Sequence, residues 1–153
     1  INILNLSFKK DQKFDLILIK QTIHLMKFGE IKKLLKILKR TLNPKGKILI
    51  FTLDTGKNEI PTFKLMKNKL NKSLNRDKKI LKIITDLYPQ RIKKRFVFNV
   101  KIDREKYLDM IKKKYISTLI PFSKKQLTEG IQEIELKYRK VLRFKDKLIC
   151  IIL

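Results

Sequence analysis

One histidine, His24, stands between a short apolar run and a lysine-rich amphipathic segment. An imidazole titrates close enough to neutrality to take a proton from a substrate nucleophile, so His24 is the candidate catalytic base. Its structural alternative is packing at a helix entrance with a hydrogen bond to a loop carbonyl. Other chemistry is scarce. The lone cysteine, Cys150, lies inside a terminal apolar run. It excludes an internal disulfide and a cysteine-rich metal site, and it fits a reducing, cytoplasmic setting. Gly29, Gly46, Gly56 and Gly130 are isolated from one another, so the sequence holds no GxGxG loop of the kind that cradles phosphates.

The segment that must position His24 runs from Phe14 to Thr52. Phe14 to Ile19 is an apolar run of strand length, entered through Asp15. Ile31, Leu34, Leu35, Leu38 and Leu42 recur at helical spacing, with Lys32, Lys33, Lys36, Lys39 and Arg40 on the opposite face. Pro44 and Gly46 are expected to stop that helix, with Gly46 in a left-handed turn, and Ile48 to Phe51 starts a second strand. Strand, helix and strand in this length predict a right-handed crossover between parallel strands. In open α/β sheets, ligands bind where chains leave the carboxyl ends of strands. Ile19, Lys20 and Gln21 leave the first strand there, and Thr52 to Gly56 leave the second at the same edge. The geometry predicted is therefore a common rim shared by His24 and Asp54.

"KFDLILIKQTIHLM" followed by "LLKILKRTLNPKGKILIFT" resembles the second half of class I S-adenosylmethionine-dependent methyltransferases. Their fourth strand commonly opens with Phe-Asp, carries a His at the place of His24, and leads through a helix to a Leu-x-Pro-Gly-Gly turn. Here that turn reads Leu42-Asn43-Pro44-Lys45-Gly46, with Lys45 replacing the first glycine. "YISTLIPFSKKQLTEGIQEIELKY" followed by "LRFKDKLICIIL" resembles the carboxyl-terminal part of small-molecule members. The resemblance implies S-adenosyl-L-methionine as cofactor, with Asn2 and Ile3 at the adenine and Ile19, Lys20 and Gln21 beside the methionine end. A lysine ammonium aimed at the sulfonium would be repelled, which turns Lys20 toward solvent or an acidic substrate. By the same resemblance Asp54, Glu59, Tyr115 and Ser117 face the methyl acceptor. The fold implied is α/β: an incomplete Rossmann-like sheet, mostly parallel with an antiparallel last strand, and helices on both faces. The family's glycine-rich loop should precede Asn2. Together with Ile1 in place of an initiator Met, this suggests a sequence that begins partway through a gene, a fragment unable to methylate alone. Loss of the first strands would leave an association-prone edge.

Along the rest of the chain, Phe63, Met66, Leu70 and Leu74 mark a helix with a break near Asn75-Arg76-Asp77, Asp77 capping a second helix with Ile80, Leu81, Ile84 and Leu87. Alternation from Phe96 to Ile102 predicts a strand, and Asp103 caps the helix after it. Ser123 to Gln126 form a capping box for a last helix striped by Leu127, Ile131, Ile134 and Tyr138. Val141 to Phe144 and Leu148 to Leu153 are two apolar segments separated by Lys145-Asp146-Lys147.

The 153 residues suffice for a single domain with a core, and no apolar stretch approaches the roughly 18 residues that span a bilayer. Thirty-nine Lys+Arg against 14 Asp+Glu give a net charge of +25. The sequence also contains no Ala and is rich in Lys, Ile, Asn and Leu, as AT-rich coding would produce. Coding bias therefore ranks ahead of selected polyanion binding as the source of the charge. The alternative function is a non-catalytic basic RNA-binding module, or an RNA methyltransferase, on a degenerate methyltransferase fold.

Overall fold

The computed structural model describes residues 12–56 and 59–153. The elements are β1 (Phe14–Lys20), a 3-10 turn (Ile23–Leu25), α1 (Phe28–Arg40), β2 (Leu42–Leu53), α2 (Lys64–Leu87), β3 (Ile92–Asp103), α3 (Arg104–Lys112), a second 3-10 turn (Ser117–Leu119), α4 (Lys124–Lys137) and β4 (Val141–Ile152). The four strands form one sheet in the order β1-β2-β4-β3.

β1 and β2 run parallel, with Ile17 opposite Ile48 and Lys20 opposite Phe51, as the strand-helix-strand pattern requires. β4 pairs antiparallel with β2, Leu49 opposite Ile152 and Leu53 opposite Leu148. The expectation of a mostly parallel sheet does not hold. The last strand runs against β2 and sits inside the sheet between β2 and β3, so the sheet is mixed.

The start of β2 differs from the sequence reading. α1 ends at Arg40, not at Pro44, because the Thr41 hydroxyl and N–H both donate to the Leu38 carbonyl and close the last turn. Leu42 leaves the helical stripe and pairs with Phe14 at the head of β2. The register then slips between Phe14 and Leu16, and the Asn43 amide donates to the Asp15 carboxylate at 2.6 Å across the irregularity. No glycine has positive φ. Gly46 is required instead by close approach: a Cβ there would lie 2.7 Å from the Phe14 carbonyl oxygen.

α2 is one uninterrupted helix. Its buried positions, Met66, Leu70, Leu74, Asp77, Ile80 and Ile84, form a single continuous stripe, and no Gly or Pro intervenes. Asp77 therefore sits in mid-helix and caps nothing. β4 is likewise continuous through Lys145-Asp146-Lys147, since charged residues at partly exposed ladder positions do not interrupt pairing. The capping box is present as read: Ser123 N–H donates to Gln126 Oε1 at 2.9 Å and Gln126 N–H to Ser123 Oγ at 3.2 Å.

The chain divides into two compact units. The first comprises residues up to Asp54, Arg76–Phe96 and Leu148–Leu153, around a core of Ile19, Ile31, Leu35, Ile48, Ile50, Ile84 and Ile149. The second comprises Thr55–Asn75 and Val97–Lys147, around Phe63, Met66, Tyr107, Ile111, Leu119 and Ile134. Among the described residues, no helix is long and apolar enough to cross a membrane.

Candidate functional site at the carboxyl rim of β1 and β2

β1 and β2 are parallel neighbours, so the residues that leave their carboxyl ends emerge at one edge of the sheet. Ile19 is buried beneath this rim and Lys20 is exposed on it. Gln21 holds φ at 50° and donates its N–H to the Phe51 carbonyl at 2.9 Å. Left-handed backbone costs a non-glycine residue about 1–2 kcal/mol, and such residues concentrate at ligand sites and switches. The turn at Gln21 delivers the chain into the 3-10 segment Ile23–Leu25, where Ile23 is buried and His24 half-buried.

A clasp from α2 fixes this segment. The Arg76 guanidinium donates to the Met26 carbonyl and lies 5.5 Å from the centre of the Phe28 ring. Beside it Asp77 is buried, 4% exposed, and its Oδ1 has no hydrogen-bond partner among the described residues. Burial pushes the Asp77 carboxyl above its ordinary range, while the charges of His24 and Arg76 pull it down. The link between His24 and Asp77 is electrostatic. A nearby buried carboxylate favours the charged form of an imidazole during proton transfer.

On the β2 side of the rim, Asp54 is also buried, and its carboxylate holds the Arg95 Nε at 2.7 Å. Phe51 and Phe96 pack beside this pair with ring centres 5.9 Å apart. The Arg95 side chain is 63% exposed, whereas that of Asp54 is buried. Arg95→Met should destabilise the protein by about 1–2 kcal/mol, between the value of an exposed pair and that of a fully buried one. The check is urea unfolding of Arg95→Met beside Asp54→Asn and the double variant. Additive losses would show that the pair is not coupled.

Glu59, Tyr115 and Ser117 belong to the second unit. The Glu59 carboxylate is engaged by the Lys147 ammonium and accepts from the Lys145 N–H. The hydrogen bond from Lys147 holds its carboxyl below the ordinary range, against a smaller upward effect of burial. Tyr115 is 76% exposed and Ser117 is also exposed. Asn2 and Ile3 lie outside the described residues. Among the described residues, no three His, Cys, Asp or Glu side chains cluster so as to hold a metal. Asp77, Arg76 and Arg95 were not legible as site residues. The one signal for Asp77 was an acidic residue standing at an apolar-stripe position of α2.

No protein-family model matches the chain, and no curated protein matches it. Solved structures do. One is described as a "Putative methyltransferase from antibiotic biosynthesis pathway" of Anabaena variabilis ATCC 29413. It is 14% identical with a TM-score of 0.60, over 97% of this chain and 70% of that one. Another is described as a "putative methyltransferase" of Bacillus halodurans C-125. It is 12% identical with a TM-score of 0.50, over 98% of this chain and 73% of that one. The fold is methyltransferase-like. Within the methyltransferase-like fold, the rim at Gln21, His24 and Asp54 lies at the carboxyl strand ends, the edge where open α/β sheets bind ligands.

Proposed function

We propose that this chain is part of an S-adenosylmethionine-dependent methyltransferase acting on a small-molecule acceptor. One observation carries the reading: the β1-β2-β4-β3 order, with the last strand reversed inside the sheet, in a chain that aligns over nearly its whole length with structures described as methyltransferases. The antibiotic-pathway description of the Anabaena protein supports a small acceptor.

The rim residues fit one flank of the cofactor. Ile19 gives an apolar wall, and the turn at Gln21 leaves main-chain groups at the strand end. Lys20 is exposed, which allows its ammonium to turn away from a cationic sulfonium. The sequence offers no glycine-rich loop for the other flank, so on this reading that flank comes from polypeptide outside these 153 residues. When bound, the cofactor supplies an electrophilic methyl group. His24 accepts the proton of an acceptor hydroxyl or amine at an imidazole nitrogen. Asp77 steadies the imidazolium that results, and Arg76 holds the segment carrying His24 in place. Asp54 binds a cationic or hydroxylated acceptor group as Arg95 swings out.

The test is S-adenosylhomocysteine binding and methyl transfer by the product of the full reading frame that encodes this sequence. That product should bind S-adenosylhomocysteine, the isolated 153 residues should not, and His24→Ala should slow transfer by roughly 10²–10⁴. A full-frame product that binds no S-adenosylhomocysteine would overturn the reading, as would an isolated chain that binds it equally well for the missing-flank part.

A further inference from the structure

The opposite end of the first unit holds a cavity of about 510 Å³ that the methyl-transfer reading does not use. Four cations line it: Lys39 from the last turn of α1, Lys45 and Lys47 from the slipped register of β2, and Arg91 just ahead of β3. No Asp or Glu side chain lines it, and none of the four makes an ion pair among the described residues. Arg91 is steadied by donation to the Pro89 carbonyl at 2.9 Å. Apart from Gln90 and the chain end at Leu153, the rest of the wall is apolar or aromatic, including Tyr88 and Ile152.

A lysine-rich chain places lysines everywhere, so the number of cations must be set against what they already neutralise. α1 and α2 both end at this cavity, at Arg40 and Leu87. Each helix carboxyl end carries about half a negative charge. The two together, with the terminal carboxylate of Leu153 in the wall of the 153-residue chain, offset about two of the four cations and leave a surplus near two. The volume falls within the roughly 300–1,000 Å³ of small-molecule sites. Lys47 and Asp54 are also separated along β2 by about 23 Å at roughly 3.3 Å per residue, so the cavity is distinct from the rim.

We infer that this cavity binds an organic phosphate of several negative charges, of the nucleoside polyphosphate class, its phosphates on Lys45, Lys47, Arg91 and Lys39 and its base against Tyr88. Lysine and arginine supply the charge-assisted hydrogen bonds that phosphate oxygens require. The half-buried phenol ring offers a flat apolar face for stacking.

The probe is ATP in EDTA, titrated calorimetrically into the chain at 150 mM salt, with adenosine and inorganic triphosphate as separate arms. ATP should saturate one site, triphosphate should bind more weakly, and adenosine should not bind measurably. Lys45→Glu/Lys47→Glu should weaken ATP by at least about tenfold. Lys32→Glu/Lys33→Glu makes the same charge change at exposed positions of α1 that lie about 9 Å or more along the helix from Lys39, and should cost no more than about twofold, because salt screens charge beyond about 8 Å. If the first pair fails to fold by circular dichroism, Lys45→Gln/Lys47→Gln replaces it, with a smaller loss in the same order. Equal losses from both pairs would overturn the site in favour of diffuse attraction. Triphosphate binding as tightly as ATP would overturn the base contact. A single-stranded uridine decamer that depends on Lys45 and Lys47 while ATP fails to saturate would overturn it in favour of nucleic acid.

Discussion

Gly130→Ala should destabilise the protein by about 2 kcal/mol, although the same change in a helix interior ordinarily stabilises by about 1 kcal/mol. Gly130 lies in the middle of α4, and a Cβ built on it falls 2.6–2.7 Å from three ring atoms of Phe63. Carbon atoms in contact settle at about 3.5–4.0 Å, so the ring would have to retreat by roughly 1 Å. It has nowhere to go. Phe63 is 1% exposed, packs within 5.7 Å of the Phe122 ring centre, and its carbonyl accepts the Lys67 N–H at the start of α2. Overpacking of this kind costs about 1–3 kcal/mol and outweighs the propensity gain. Gly29→Ala is the internal control. Nothing lies within 4 Å of a Cβ there, so it should gain up to about 1 kcal/mol. Phe63→Leu should relieve the clash, so the double variant should lose less than the two single changes summed. Urea midpoints decide the matter, and a Gly130→Ala protein more stable than the parent would refute the argument.

Local pattern made the first half of the chain readable. Phe14 to Ile19 and Ile48 to Phe51 are apolar runs too short for helices, and between them Ile31, Leu34, Leu35 and Leu38 repeat at helical spacing and are buried. Parallel pairing of β1 and β2 follows from that pattern. The misreadings share a cause, which is that local signals were overridden by packing. Asn75 and Asp77 are weak helix formers and Asp77 an apparent cap, yet Leu74 and Ile80 on either side bury the same face and keep α2 whole. Leu42 matched the α1 stripe, but Thr41 bonding back to Leu38 ends the helix and gives Leu42 to the sheet. Lys145-Asp146-Lys147 looked like a break, yet the β4 ladder continues through it. The rim itself was legible because it follows from two parallel strands. Its partners were not: Arg95 reaches Asp54, and Asp77 and Arg76 reach the His24 segment, from distant parts of the sequence, and no spacing rule links them.

Asp77→Asn should make the protein more stable at neutral pH, by about 1–2 kcal/mol, while slowing methyl transfer on the reading proposed here. Asp77 is a buried carboxyl in the apolar stripe of α2 with an Oδ1 unpartnered among the described residues. Burial is the larger influence and raises its folded pKa above the ordinary 3.8; His24 and Arg76 offset only part of that. The sign follows. Below about pH 3.8 the group is protonated folded and unfolded, and it costs nothing by ionisation. As pH rises toward the folded value, the unfolded chain ionises first and stability is lost, and above that value the loss is constant. Asparagine cannot ionise, so its advantage over the parent should be small near pH 3.5 and should open as pH rises. The difference between the two proteins is the quantity to measure, since engaged carboxylates such as Glu59 vary in the opposite direction. The charge that burial penalises interacts electrostatically with the only histidine of the sequence. In the full-frame protein, Asp77→Asn should therefore shift the pH profile of kcat/KM, a readout that simple loosening of α2 would leave in place. His24→Ala should abolish that difference between parent and Asp77→Asn. A stability gain that does not change with pH, or a pH profile unmoved by Asp77→Asn, would break the link between these two residues.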